Sequence, residues 1–214
     1  MDDIRTYIIL ISGGSASGKT TIANRLKEVL FPFAVIISSD NYYKDLSHIP
    51  LKQREKYNFD HPQSIDYKLL VKHLLQLKRN ECVYIPQYNF ANHTRRKKTL
   101  LIQPHSIIII EGLHTLLYPS LRNIADLKIF VELDDDLRFI RRLDRDLTER
   151  KRTLGQVISQ YINTVRPMHI KYIQPSSRFA DLIVHGNQLD TSLKKILCYS
   201  SIKKVIKDLH INIP

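Results

Sequence analysis

The sequence predicts an α/β fold in which a parallel five-stranded sheet carries helices on both faces, with a small antiparallel β-hairpin lobe and a helical lid attached. Two observations predict it. Short β-branched runs alternate with amphipathic helical stretches, and the first run breaks into a glycine-rich octapeptide that opens a helix.

Residues 7–11 form the first apolar run and end in Ser12-Gly13-Gly14, as a buried strand does. Residues 20–30 place Ile22, Leu26, Val29 and Leu30 at helical spacing, and Pro32 closes that helix. A second buried strand covers 34–37, followed by a polar stretch up to Asp60-His61-Pro62. Over 65–79, Leu69, Leu70, His73, Leu74 and Leu77 give an amphipathic helix. Residues 83–85 and 100–102 are β-prone and flank a basic, polar segment, which predicts a hairpin beside the main sheet. Further strands follow at 107–110, which runs into Glu111-Gly112, at 127–133 and at 181–184. A strongly charged helix spans about 135–150, another runs from Thr153 until Pro167 interrupts it, and one closing helix covers 189–209. The chain 1–214 therefore reads as one domain, with 82–103 an inserted hairpin and 135–165 an Arg-rich lid.

Composition bounds the function classes. A chain of 214 residues can bury one sizeable core, and 43% hydrophobic with 25% charged residues excludes extensive disorder. Cys82 and Cys198 are too few for a disulfide framework and lack metal-ligand spacing, so they predict two buried thiols in a reducing compartment. Asp2 and Asp3 stand where a signal peptide would be basic, and the aliphatic run 107–110 is far shorter than the roughly 20 residues of a membrane span. No membrane association and a cytoplasmic location are expected.

The net charge of +12 calls for a polyanionic partner or substrate, or serves solubility. The basic residues gather at Arg95 to Lys98, Arg138 to Arg145 and Arg150 to Arg152, a pattern that fits phosphate handling at least as well as a duplex-binding stripe. No nucleic-acid-binding motif is recognisable, and no nucleic-acid partner is expected.

Gly13-Gly14-Ser15-Ala16-Ser17-Gly18-Lys19-Thr20 fits G-x-x-x-x-G-K-[ST], with Thr21 next in the helix. The glycines let the backbone curl until its N–H groups face phosphate oxygens, and the helix that follows offers its positive end. Lys19 supplies a mobile cation for the β- and γ-phosphates of ATP, and Thr20 a hydroxyl for Mg²⁺. A Gly/Ser-rich turn can meet this pattern by accident, but the strand before and the helix after supply the required context. ATPases, GTPases and kinases share the loop. The guanine-reading Asn-Lys-x-Asp of GTPases does not occur here.

In a doubly wound sheet, ligands collect beyond the C-terminal strand ends, where Asp40 and Glu111 stand. Phosphoryl transfer needs a carboxylate that orients the attacking hydroxyl and accepts its proton late; Asp40 is the candidate. Glu111 is placed to hold Mg²⁺ opposite Thr20. Each acid, taken alone, could instead cap a loop; beside the phosphate loop the functional reading is favoured. Arg138, Arg142 and Arg145 share one helical face, with Arg150 and Arg152 just beyond, as a lid over phosphates would require. Asp135, Asp136, Asp144 and Asp146 are interspersed, so a solvated, ion-paired helix is the competing reading. On either reading Arg138 and Arg141 are taken as surface residues.

These motifs resemble the uridine kinases, or uridine/cytidine kinases, a family of P-loop nucleoside kinases. The resemblance rests on the octapeptide at Gly13, Ser39-Asp40-Asn41-Tyr42-Tyr43-Lys44, Tyr57-Asn58-Phe59-Asp60-His61-Pro62, and Pro86-Gln87-Tyr88-Asn89-Phe90 with His93 and Arg95. Glu111-Gly112, the Arg-rich segment 141–152 and Gln160-Tyr161 complete it, in order over residues 7 to about 185.

The resemblance implies a P-loop NTPase-like fold and transfer of the γ-phosphate of ATP to the 5′-hydroxyl of uridine or cytidine, with Mg²⁺, in pyrimidine salvage. It implies that Asp40 is the base, Tyr43 lines the site, Asp60 and Arg142 grip the ribose hydroxyls, Gln160 closes over the sugar, and Tyr88 and His93 read the base. Lid positions Arg142 and Arg145, with Arg150 and Arg152, would face the ATP phosphates. A homotetramer and feedback inhibition by CTP or UTP are also implied. Asn89 stands where the family usually has Asp, a change that bears on hairpin orientation and base preference but leaves the chemistry alone. The rival readings are a phosphoribulokinase- or pantothenate-kinase-like enzyme, and an ATP-switched nucleic-acid-binding protein.

Overall fold

The computed structural model describes residues 5–54 and 56–212. In chain order the elements begin with β1 (Tyr7–Gly13), α1 (Lys19–Val29), β2 (Ala34–Ser38), α2 (Leu51–Arg54) and α3 (Tyr67–Lys78). The strands β3 (Val83–Ile85), β4 (Tyr88–Asn89), β5 (Thr94–Arg95), β6 (Leu100–Ile102) and β7 (Ile107–Glu111) follow. Then come α4 (Pro119–Arg122), β8 (Leu127–Glu132), α5 (Asp135–Thr148), α6 (Leu154–Gln160) and α7 (Arg166–Met168). The chain ends in β9 (Leu182–His185), α8 (Leu189–Leu197) and α9 (Ser200–Asp208).

Among the described residues, five strands form one parallel sheet in the order β2-β7-β1-β8-β9. Its inner strands carry almost unbroken aliphatic runs because they are covered on both faces. The period of two sorts them. Ile9, Ile11, Ile107, Ile109, Ile129 and Val131 pack with Ile22 and Leu26 of α1, Leu193 and Ile196 of α8, and Ile202 and Ile206 of α9. Ile8, Leu10, Ile108, Ile110 and Phe130 pack with Leu70, Leu74 and Leu77 of α3 and with Ile173.

All five strands run the same way, so their C-terminal ends share one edge. Glu111 lies in register with Ile11 of β1 and with Ser38 of β2, two residues before Asp40. Register thus brings residues far apart in sequence to one rim.

The predicted hairpin is present but has two parts. Val83 to Ile85 pair with Leu100 to Ile102, and beyond them Tyr88-Asn89 pairs with Thr94-Arg95 as a separate tip. Asn89 Oδ1 accepts from the backbone N–H groups of Ala91 (3.0 Å) and Asn92 (3.4 Å), closing the tip by a turn an Asp could also close. Arg95 bolts this tip to the strand-end loop, donating from Nε to the Tyr43 carbonyl (2.9 Å) and pairing with Asp66 (3.3 Å).

Four expectations are corrected. Pro167 does not end its helix: α6, capped by the Thr153/Gln156 box, continues through π-helical turns at Tyr161–Val165 and His169–Ile173. The wider turn accommodates the proline, whose missing N–H and ring a regular α-helix would not tolerate. The closing helix is two helices, because Tyr199 adopts an extended conformation at the start of α9 and so turns Ile202 and Ile206 onto the core that α8 already covers. Cys82 and Cys198 are exposed, one at the turn before β3 and the other just past the end of α8. Arg138, expected at the surface, is 3% exposed; its Nε donates to the Leu133 carbonyl (3.1 Å), it pairs with Asp135, and its guanidinium lies against Gly14.

Leu10 is fully buried in the central strand, so Leu10→Ala should cost about 2–5 kcal/mol. Urea denaturation checks this; a loss below about 1 kcal/mol would mean that the core is not organised around β1.

Candidate active site

A cleft of about 1220 Å³ opens at the C-terminal rim of the sheet. One wall is the phosphate loop. Gly18 precedes α1 with φ of 95°, a left-handed conformation that a side chain would strain. Lys19 is buried and its Nζ donates to the Gly14 carbonyl (2.7 Å), which folds the lysine back over the loop. Burial lowers its pKa to about 8, against the opposing pull of Glu111 and Asp40. Thr20 Oγ1 donates to Glu111 Oε2 (3.3 Å), so the expected metal-holding pair is in contact.

Asp40 sits in the 3₁₀ turn Ser39–Tyr42, where Ser38 Oγ accepts from its backbone N–H (3.3 Å). Burial, then the nearby charge of Glu111, raises its pKa from 3.8 to about 6. Two carboxylates and one ammonium therefore line the same cleft and shift one another's protonation. A group of this kind is a frequent mark of a functional site.

Beyond Asp40 the cleft is aromatic. Tyr43 packs on Tyr88 (ring centroids 5.1 Å apart), Phe59 (5.6 Å) and Phe90 (6.3 Å), and the His93 ring stacks on Phe59 at 4.6 Å. Among the described residues the buried Tyr88 hydroxyl has no hydrogen-bond partner. Asp60 is buried; burial raises its pKa even though Arg142 and a hydrogen bond from Thr164 Oγ1 (3.1 Å) pull the other way. The backbone carbonyl of Asp60 accepts from His114 Nε2 (2.8 Å), and burial lowers the His114 pKa to about 4.

The third wall is the Arg-rich helix α5 with the turn that follows it. Arg142 donates to Ser15 Oγ (2.8 Å) and to Gln160 Oε1 (2.9 Å), tying α5 to both the phosphate loop and α6. Arg145, Arg150 and Arg152 line the same cleft and converge with Arg142 on Asp146.

Of the residues singled out from sequence, Ser15, Ala16, Gly18, Lys19, Thr20 and Thr21 line the cleft with Asp40, Tyr43, Asp60, Tyr88, His93, Glu111 and Gln160. Gly13, Gly14 and Ser17 lie behind that surface. Sequence reasoning missed Phe59 and Phe90, although both stand in the motifs that carry the resemblance. It also missed Gly186 and Asn187 in the loop after β9, which the strand-end rule could have flagged. Gly186 packs so closely on the phosphate loop that a Cβ there would overlap the Ser17 carbonyl oxygen.

A parallel α/β sheet, a lysine-bearing phosphate loop and strand-end carboxylates in one cleft define a P-loop kinase. Residues 8–192 match the Phosphoribulokinase / Uridine kinase family, and the chain belongs to that family. It is 44% identical over 192 residues to a uridine kinase of Lactobacillus helveticus, covering 88% of this chain and 91% of that protein. It is 47% identical over 184 residues to a uridine kinase of Chloroflexus aurantiacus, covering 85% and 88%. Among solved structures it shares its fold with phosphoribulokinase from Rhodobacter spheroides, with a TM-score of 0.60 and 17% identity over 87% of this chain and 74% of that one.

Gly186→Ala should push the β9–α8 loop off the phosphate loop and weaken ADP binding roughly tenfold, about 1.4 kcal/mol. Calorimetric titration measures it. Affinity within twofold of the parent would show that this close packing does not shape the nucleotide site.

Proposed function

We propose that this chain is a uridine/cytidine kinase that transfers the γ-phosphate of ATP to the 5′-hydroxyl of uridine or cytidine, giving UMP or CMP in pyrimidine salvage in the cytoplasm. The observation that carries the reading is that Lys19 of the phosphate loop, Asp40 and Glu111 line one cleft at the strand ends. An aromatic, Asp60- and Arg142-bearing pocket opens from the carboxylate side. In this reading the chain is one kinase domain, with 82–103 the nucleoside-binding insertion and 135–165 the lid.

Loop amides from Gly13 to Thr21 cradle the phosphates, and Lys19 moves from the Gly14 carbonyl to the phosphate oxygens. The 5′-oxygen attacks the γ-phosphorus as the bond to the bridging oxygen of ADP breaks, and the hydroxyl proton passes to the Asp40 carboxylate. Arg145, Arg150 and Arg152 offset charge on the transferring group, while closure of the lid excludes competing water.

Mg²⁺ fits the site. It binds proteins through one or two oxygen ligands and takes the rest of its shell from phosphate and water, and Thr20 and Glu111 supply two adjacent oxygens. When bound it would neutralise phosphate charge.

At the acceptor end, Asp60 accepts from the ribose 2′- and 3′-hydroxyls while Arg142 donates to the same oxygens, with Gln160 beside them. Tyr88 offers a hydroxyl that is both donor and acceptor, and a neutral imidazole at His93 would offer one of each, so the pair would accommodate uracil and cytosine. Tyr43 and Phe59 wall a space shaped to one ring. The reading extends to a homotetramer and to feedback by CTP or UTP, as the resemblance implies.

A coupled ADP-release assay across a nucleoside panel tests the assignment. Uridine and cytidine should stimulate turnover, with 2′-deoxyribosides and purine nucleosides well below them; turnover only with another hydroxyl compound, such as a sugar phosphate, would overturn it. Asp40→Asn should lower kcat by about 10²-fold or more. An undiminished rate would remove Asp40 from its role. Asp40 acts ionised and Lys19 acts charged. The free-enzyme kcat/KM should therefore rise with pH through about 6 and fall above about 8. A profile flat from pH 5 to 9 would contradict that pairing.

A further inference from the structure

Asp146 lies within α5 with its side chain fully buried, yet it faces four guanidinium groups. Its Oδ1 accepts from Arg145 Nη2 (2.8 Å) and Nε (3.0 Å) and lies 3.6 Å from Arg150 Nε. Its Oδ2 lies 3.3 Å from Arg152 Nη1 and 3.5 Å from Arg142 Nη2. The Asp146 backbone carbonyl also accepts from the backbone N–H of Arg152 (3.0 Å), so the end of the lid turn is fastened to the same residue. Burial pushes the carboxyl up, but Arg142, Arg145 and Arg150 together outweigh it and hold it below its ordinary range.

One carboxylate has about four lone-pair sites, and here they are divided among four cations. A single negative charge cannot neutralise that cluster, and each guanidinium still has N–H groups to spend. Without an anion among them, the arginines would repel one another and spread into solvent. A triphosphate offers the same guanidinium groups a larger and more dispersed negative charge. Catalysis benefits from such groups when they are oriented before the reaction, because ordering them during it costs free energy.

We propose that Asp146 is a positioning residue that assembles the lid arginines toward the phosphate loop and competes with nucleotide for them in the ground state. The proposal rests on the kinase reading above and adds to it a residue that never touches the substrate. Removing the carboxylate charge has two opposed consequences. The site gains a unit of positive charge and frees its arginines, so nucleotide binds at least as tightly. The freed arginines must then be ordered during transfer, so transfer slows. A residue that only held the lid together would behave otherwise: its loss would weaken nucleotide binding and activity together.

Asp146→Asn keeps the shape and removes the charge, and Asp146→Glu keeps the charge but displaces it by one methylene. Turnover with uridine and Mg²⁺-ATP is measured beside calorimetric titration with Mg²⁺-ADP. The Asn variant should lose roughly 30-fold or more in kcat, while its ADP Kd stays unchanged or tightens by up to about fivefold at one site per chain. The Glu variant should lose about tenfold in kcat with ADP affinity kept. An Asn variant within about twofold of the parent in kcat, or binding ADP more than about threefold more weakly, would overturn the proposal. If the Asn variant does not fold, the Glu variant decides by the same two criteria. A parent enzyme inactive on uridine and cytidine would refute the substrate reading instead. The ADP titrations need no acceptor and would still test the competition.

Discussion

The Lys19 ammonium is buried at the C-terminal edge of a parallel sheet, within electrostatic reach of two carboxylates, Asp40 and Glu111, and the rest of the molecule is arranged around that grouping. Desolvation drives the lysine toward its neutral form and the aspartate toward its protonated form, while their mutual attraction holds both charged. The site is thus stressed in a direction that a bound triphosphate and a departing hydroxyl proton would both relieve. These residues come from separate parts of the chain. They meet because β7 pairs with β1 on one side and β2 on the other, with Glu111 level with Ile11 and Ser38. A slip of one residue along β7 would turn its side chains to the opposite faces of the sheet and carry Glu111 away from Thr20.

Helix α5 and the turn after it show the opposite arrangement. Where the rim crowds acids around one cation, α5 and the turn after it crowd cations around one acid, Asp146. Buried ion clusters of this kind are weak stabilisers, since desolvation offsets most of the Coulomb gain. Their value here is geometric. Arg142 spans the two regions, reaching Ser15 of the phosphate loop and Gln160 of the helix that follows. Helix α5, the phosphate loop and α6 are thereby tied together.

Local signals made much of this legible in the sequence. The strands carry β-branched runs, the phosphate loop has a fixed spacing, and strand-end acids fall where a doubly wound sheet collects ligands. Features set by tertiary contact were not legible. Asp146 reads as one more acid on a charged helix until the turn after α5 brings Arg150 and Arg152 back onto it. Arg138 carries no sign that it will be buried against Gly14, and Gly186 none that it will press on Ser17. Pro167 was misleading because a π-helical path removes the conflict that would normally stop a helix there. Asn89, a departure from the family pattern, proves locally consistent: its side chain closes the tip turn through the oxygen it shares with Asp.

In the proposed kinase, one rim holds a triphosphate tail on its lysine side and aims a sugar alcohol at that tail from its aspartate side. A crystal structure with Mg²⁺, a non-hydrolysable ATP analogue and uridine tests it most directly. The 5′-hydroxyl should lie within hydrogen-bonding distance of the Asp40 carboxylate and in line with the terminal phosphate, whose oxygens Lys19 has taken in place of the Gly14 carbonyl. A nucleoside lodged elsewhere, or a 5′-hydroxyl turned away from Asp40 while the phosphates occupy the loop, would contradict it.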